Sequence, residues 1–154
     1  IKEGVSYAMA KKLQLQNITI LLPESENTGL GALGEFKNPL EQNQFLNLVK
    51  NTFHNTAIRY TNFLQSRIQK VALCGGSGAF LLDQAIAHKA DVFISSDFKY
   101  HQFFDANNEI TIVDIGHYEA EIVSKDIITA ILLKKFPTFA FCFSKTNTNP
   151  VNYY

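Results

Sequence analysis

The chain has 154 residues, 46% of them hydrophobic, which is enough for one properly buried core and for no more than about one and a half domains. Lysine plus arginine number 14 and aspartate plus glutamate number 14, so the formal net charge is zero and no long-range field gathers nucleic acid or anionic lipid. A nucleic-acid partner is therefore not expected, and no apolar run approaches the roughly 18 residues that a membrane span requires.

Cys74 and Cys142 lie in separate apolar runs with no CxxC, so the sequence suggests neither a zinc ribbon nor a disulfide framework. Both are expected as buried thiols, which fits a reducing cytoplasm. The opening IKEGVSYAMAKKL has no uninterrupted apolar stretch of the export type and reads as the run-in to a helix, so further sequence is expected upstream.

Helical spacing of Val5, Ala8, Met9 and Leu13 predicts a helix over residues 4–15, and the β-branched run after it predicts a strand over 18–22. Residues 23–40, PESENTGLGALGEFKNPL, mix glycine and proline with polar residues and predict a long loop. Phe45, Leu46, Val49 and Phe53 restore helical spacing over 40–53, and 57–60 is a short strand candidate. Regular alternation follows. Strands are expected at 70–74, 91–95, 110–114 and 138–143, and helices at 79–88, 100–106 and 118–135. The runs VALC, DVFIS and ITIVDI are apolar on most residues, as when both faces of a sheet are covered. The fold class is α/β, a mixed sheet with helices on both faces. The tail SKTNTNPVNYY is expected to run over the surface.

Ligands of such sheets gather beyond the carboxyl ends of the strands, and three segments there carry chemistry. Gly75, Gly76, Ser77 and Gly78 follow a strand and precede a helix; they are an anion-binding loop or simply a tight turn with Ser77 near the N-cap. Asp97 and His101 are four apart and share a face if the helix begins by Asp97; the plainer reading is an N-cap and a half-buried histidine. His117 and Glu121, one helical turn apart, put an imidazole and a carboxylate together over the strand ends, a pair suited to zinc, iron, manganese or nickel. By pattern alone, a capping His117 with a solvent-facing Glu121 remains the alternative. A serine hydrolase built on Ser77, Asp97 or Asp114, and His117 would follow the α/β-hydrolase order, but Ala79 stands where the nucleophile elbow needs glycine. His54 and His88 fall at predicted helix ends and are assigned no function.

The segments VALCGGSGAF, ADVFISSDFKYHQFFDA and ITIVDIGHYEAE resemble, in order and spacing, the C-terminal half of the GTP cyclohydrolase 1 type 2 homologues, the Nif-three-like dinuclear-metal proteins. GVSYAMAKKLQLQNITILLPE and GLGALGEFKNPLEQNQFLNLVK extend the resemblance over nearly the whole chain. It implies part of a two-lobed fold with two divalent metal ions in the cleft between lobes, in proteins that assemble as homohexamers. Residues 1–22 would complete the N-terminal lobe, 23–40 would be the connection where some members carry an inserted domain, and 41–154 would form the C-terminal lobe. His117 and Glu121 fall on metal ligands, Asp97 and His101 on a motif lining the cleft, and Gly75 to Gly78 on its glycine loop. The family's consecutive histidine pair is missing from this sequence, so the chain is expected to hold part of a metal centre and to be inactive by itself. The function implied for the intact protein is metal-dependent hydrolysis of a phosphate-containing or nucleotide-like compound in the cytoplasm. The alternative is a non-catalytic oligomeric scaffold or metal store.

Overall fold

The computed structural model describes residues 4–154. Helix α1 (Val5–Lys12) leads into strand β1 (Gln16–Pro23), and a short turn connects it to β2 (Gly29–Glu41). Helix α2 (Gln42–Phe53) and the two-residue β3 (Arg59–Tyr60) precede β4 (Arg67–Ser77) and α3 (Leu82–Ala87). Strand β5 (Val92–Ser96), a 3-10 segment (Tyr100–Ala106), β6 (Thr111–Asp114), α4 (His117–Glu121) and α5 (Ser124–Lys135) complete the order. These make one six-stranded mixed sheet, β1-β2-β4-β5-β6-β3, in which β4, β5 and β6 are parallel and the remaining pairings antiparallel.

Strand periodicity divides the core. Val71 and Leu73 of β4, Val92 and Ile94 of β5, and Val113 of β6 face one layer with Met9, Phe45, Val49 and Val123. The alternate residues Ala72, Phe93 and Ile112 face a second layer with Leu81, Ala85, Phe98 and Ala106. Helices thus cover both faces, and the expected α/β class is the observed one. Helix α2 buries Phe45, Val49 and Phe53 at four-residue spacing, starts where the Gln44 side chain accepts from the Glu41 amide at 3.3 Å, and stops at His54 in a left-handed conformation.

Four expectations fail. The loop predicted over 23–40 is confined to a turn, and β2 occupies most of it. Gly31 there takes φ +67, and a side chain on it would meet Leu21 and the Leu73 carbonyl at 3.1 Å, so the glycines mark close strand approach and not a break. Pro39 sits where the register with β4 shifts between Glu35 and Leu40, a stretch that does not need its missing N–H. Strand β1 (Gln16–Pro23) pairs with β2 and forms one edge of this sheet.

The strand predicted at 138–143 does not form. Neither edge strand, β1 or β3, receives it; Phe139 and Phe143 are exposed, and so is Cys142, expected as a buried thiol, whereas Cys74 is buried. The helix predicted over 118–135 is two helices, α4 and α5, and none of the residues of α5 is buried. Among the described residues no helix is long and apolar enough to cross a membrane.

Candidate metal centre

Three parallel strands end side by side, so the segments after β4, β5 and β6 meet at one end of the sheet. Between the last two, the side chains of Asp97 and His117 come together: Asp97 Oδ2 lies 2.5 Å from His117 Nδ1. Asp97 has φ +60 and Gly116 φ +81, left-handed positions that turn the chain sharply after each strand. His117 is the first residue of α4, and one turn later Glu121 places Oε2 3.3 Å from His117 Nε2.

With Asp97 accepting the Nδ1 proton, the neutral imidazole has its lone pair at Nε2, facing a carboxylate oxygen. Two lone pairs at that distance repel unless a positive charge, a proton or a metal ion, joins them. Tetrahedral sites with bonds of about 2.0–2.1 Å have donor-to-donor edges of roughly 3.3 Å, and the Nε2 to Oε2 separation matches that edge. His117 and Glu121 therefore fit as two ligands of one ion. Asp97 lies at the opposite ring nitrogen and cannot share it; among the described residues no group of three or more His, Cys, Asp or Glu is placed to hold a metal. Further donors would have to come from outside the described residues.

The Asp97 hydrogen bond, opposed by partial burial and helped by the charges of Asp97 and Glu121, raises the His117 pKa above its ordinary value. Its imidazolium therefore favours the folded state fully below the unfolded-chain pKa, and that contribution fades as pH rises through the folded value. With the side chain 51% exposed, the effect on stability is small. Metal uptake needs the neutral ring, so affinity is expected to fall as the solution is acidified. An NMR titration of the metal-free protein should give His117 a pKa above 6.5, lowered in Asp97→Asn; an unchanged titration in the variant would refute the assigned cause.

The glycine loop serves this arrangement sterically. Gly75, Gly76 and Ser77 still belong to β4, and only Gly78 precedes a three-residue 3-10 turn, so the helix N-terminus expected there does not follow the glycines directly. The Gly75 amide donates to Ser6 Oγ at 3.2 Å and the Gly76 carbonyl accepts from Ser95 Oγ at 3.0 Å. Gly76 has φ +69, and a Cβ on it would stand 2.5 Å from Glu121 Oε1. Gly76→Ala should therefore displace Glu121 and cost about 1–2 kcal/mol of stability. Urea unfolding together with a metal titration checks this; native metal affinity in the variant would count against the packing role.

A cleft of about 590 Å³ opens beside His117 and Glu121. Arg59, Asp97, Asp114, Glu119 and the tail residues Asn149 and Tyr153 are among its walls. His101 is not; its helix starts at Tyr100, so it does not share a face with Asp97. Ser77 makes no bond to His117, whose two ring nitrogens both face carboxylates, and no Ser-His pair forms among the described residues. Arg59 and Glu119 stand in no motif that marks them as site residues. Arg59 opens β3 opposite Asp114, and its Nη2 donates to Asp114 Oδ2 at 2.5 Å and to the Phe98 carbonyl at 3.0 Å. Glu119 is buried on α4, with Asn149 Nδ2 at 3.5 Å from Oε1, so the tail, largely exposed as expected, touches the site wall.

Residues 1–150 match the family model Duf34/NIF3 (NGG1p interacting factor 3). A Staphylococcus epidermidis protein named GTP cyclohydrolase 1 type 2 homolog is 32% identical over 142 residues, covering 87% of this chain. The chain spans 38% of that relative's length. Among solved structures, a hypothetical protein of Staphylococcus aureus superposes with a TM-score of 0.89 at 24% identity, over 99% of this chain and 64% of the other. A Bacillus cereus protein related to NIF3 gives 0.82 at 18% identity, over 99% and 70%. At these identities the structures speak for the fold.

Proposed function

The chain belongs to the Duf34/NIF3 family, and from that premise we propose that it supplies His117 and Glu121 to a dinuclear metal centre of an intact hydrolase acting on a phosphate-containing or nucleotide-like substrate. The observation that carries the reading is the Asp97–His117–Glu121 line, with Nδ1 tied down and Nε2 presented to a carboxylate oxygen 3.3 Å away. A divalent ion held there would polarise a substrate oxygen and make water more acidic.

The chain's own residues do the rest. Asp97 keeps the proton on Nδ1 and fixes the ring plane, Glu121 adds negative charge, and Gly76 leaves the room that Glu121 needs. Arg59 provides a cation across the cleft, and Glu119 provides a carboxylate in its wall that could exchange a proton with a bound water. The remaining metal donors come from the part of the intact protein that this chain does not span.

The test is turnover by the intact, metal-loaded protein on phosphomonoesters, phosphodiesters and nucleotides, with His117→Ala in parallel. Hydrolysis abolished in the variant supports the reading. Stoichiometric metal with no turnover on any of these compounds overturns the hydrolase and leaves a protein that holds metal without reacting.

A further inference from the structure

Arg59 borders two clefts. On one side is the metal-facing cleft, whose walls carry Asp97, Asp114, Glu119 and Glu121. On the other is a second cleft of about 750 Å³ between β3 and the 3-10 segment, in which Arg59 is the only charged lining residue among those described. The second cleft is strongly aromatic. Tyr100 and Phe104 are 80% and 67% exposed with ring centroids 5.5 Å apart, and Tyr60 is half exposed beside them. Exposed rings on neighbouring elements, rimmed by the amides of Asn62 and Asn108, give a flat molecule both a face to stack on and groups to bond its edge.

The guanidinium between the clefts is fixed and only partly used. Both Nη2 hydrogens are engaged, by Phe98 O and Asp114 Oδ2, and the guanidinium carbon stands 5.3 Å from the Phe103 ring centroid. The hydrogens on Nε and Nη1 meet no acceptor among the described residues, and the side chain is 60% exposed. A planar donor pair held in place by a buried carboxylate is suited to bidentate binding of phosphate. The metal-side wall, where four carboxylates outnumber Lys125, disfavours an anion in the absence of metal, whereas the aromatic side offers Arg59 no competing charge.

We propose that the second cleft binds the flat ring of a nucleotide against Tyr60, Tyr100 and Phe104 while Arg59 takes its phosphate, so that a nucleotide lying across Arg59 reaches toward His117 and Glu121. This rests on the hydrolase reading only for the metal end of the molecule; ring and phosphate recognition belong to Arg59 and the aromatic cleft alone.

The experiment is an NMR titration of the full chain, with a chelator present, using adenosine monophosphate, adenosine and inorganic phosphate as probes. Adenosine monophosphate should shift the Arg59 Nε–H and the Tyr100 and Phe104 ring signals along one isotherm, and Arg59→Gln should weaken it about tenfold. Tyr100→Ser with Phe104→Ser, both exposed and unneeded by the core, should weaken the nucleotide by about tenfold while leaving inorganic phosphate unaffected. Should Arg59→Gln fail to fold, this double variant still decides. No nucleotide binding, or binding indifferent to the double variant, overturns the proposal. Nucleotide binding as described in a protein whose metal content ignores His117→Ala would uphold this cleft and sink the metal reading; metal loading with a silent aromatic cleft would do the reverse.

Discussion

In the intact protein, His117→Ala should lower metal affinity by more than about a hundredfold, and the Asp97→Asn variant should lose about ten- to a hundredfold. The gradation follows from what each residue touches. Substitution of His117 removes the Nε2 donor itself, whereas substitution of Asp97 leaves the donor and removes the charge behind Nδ1 that orients and strengthens it. Glu121→Ala belongs with His117, because it deletes the other half of the pair 3.3 Å away. All three side chains are about half exposed, so these variants should fold, and far-ultraviolet circular dichroism would show it. Elemental mass spectrometry after dialysis against a graded chelator reads the affinities; about two ions per chain are expected in the unsubstituted intact protein. Metal content indifferent to His117→Ala would reduce the Asp97–His117–Glu121 line to a protonated surface network, with the raised His117 pKa as its only consequence.

The parallel half of the sheet was legible because burial on both faces forces near-continuous apolar runs. VFISS and TIVD are buried at every position, a condition few other arrangements impose on a sequence. In the antiparallel half β1 and β3 were legible but β2 was not, since the glycines that let β2 lie close to Leu21 and Leu73 are the same letters that signal a loop. The aromatic run at 138–143 has strand composition but no ladder edge to join, and composition says nothing about partners.

The helical pair His117 and Glu121 could be read as a local spacing. Its link to Asp97 could not, because it depends on β5 and β6 being parallel neighbours, which brings together residues 20 apart in the sequence. That neighbourhood is inferable in principle: both residues immediately follow strands, and consecutive strands of such a sheet commonly pair. Arg59 gave no signal at all. It enters the site through a two-residue antiparallel strand whose place beside β6 no local pattern specifies.

Asp114→Ala should be the most destabilising single change at this end of the sheet, costing about 2–4 kcal/mol. The carboxylate is only 3% exposed and accepts from the Phe98 amide at 3.1 Å, the Gly116 amide at 3.0 Å and Arg59 Nη2 at 2.5 Å. Two of these donors are backbone groups in the turns after β5 and β6, the turns that carry Asp97 and lead into His117. Removing the acceptor strands the buried Phe98 N–H and releases both turns, and this outweighs the ion pair, because Arg59 is 60% exposed and its charge is well solvated. Arg59→Gln should accordingly cost less, about 1 kcal/mol. Urea unfolding of both variants checks the ranking. If Asp114→Ala proved no more harmful than Arg59→Gln, the carboxylate would matter through the arginine alone, and the positions of Asp97 and His117 would have to be set by the packing of Phe98 and Ile115 in the two core layers.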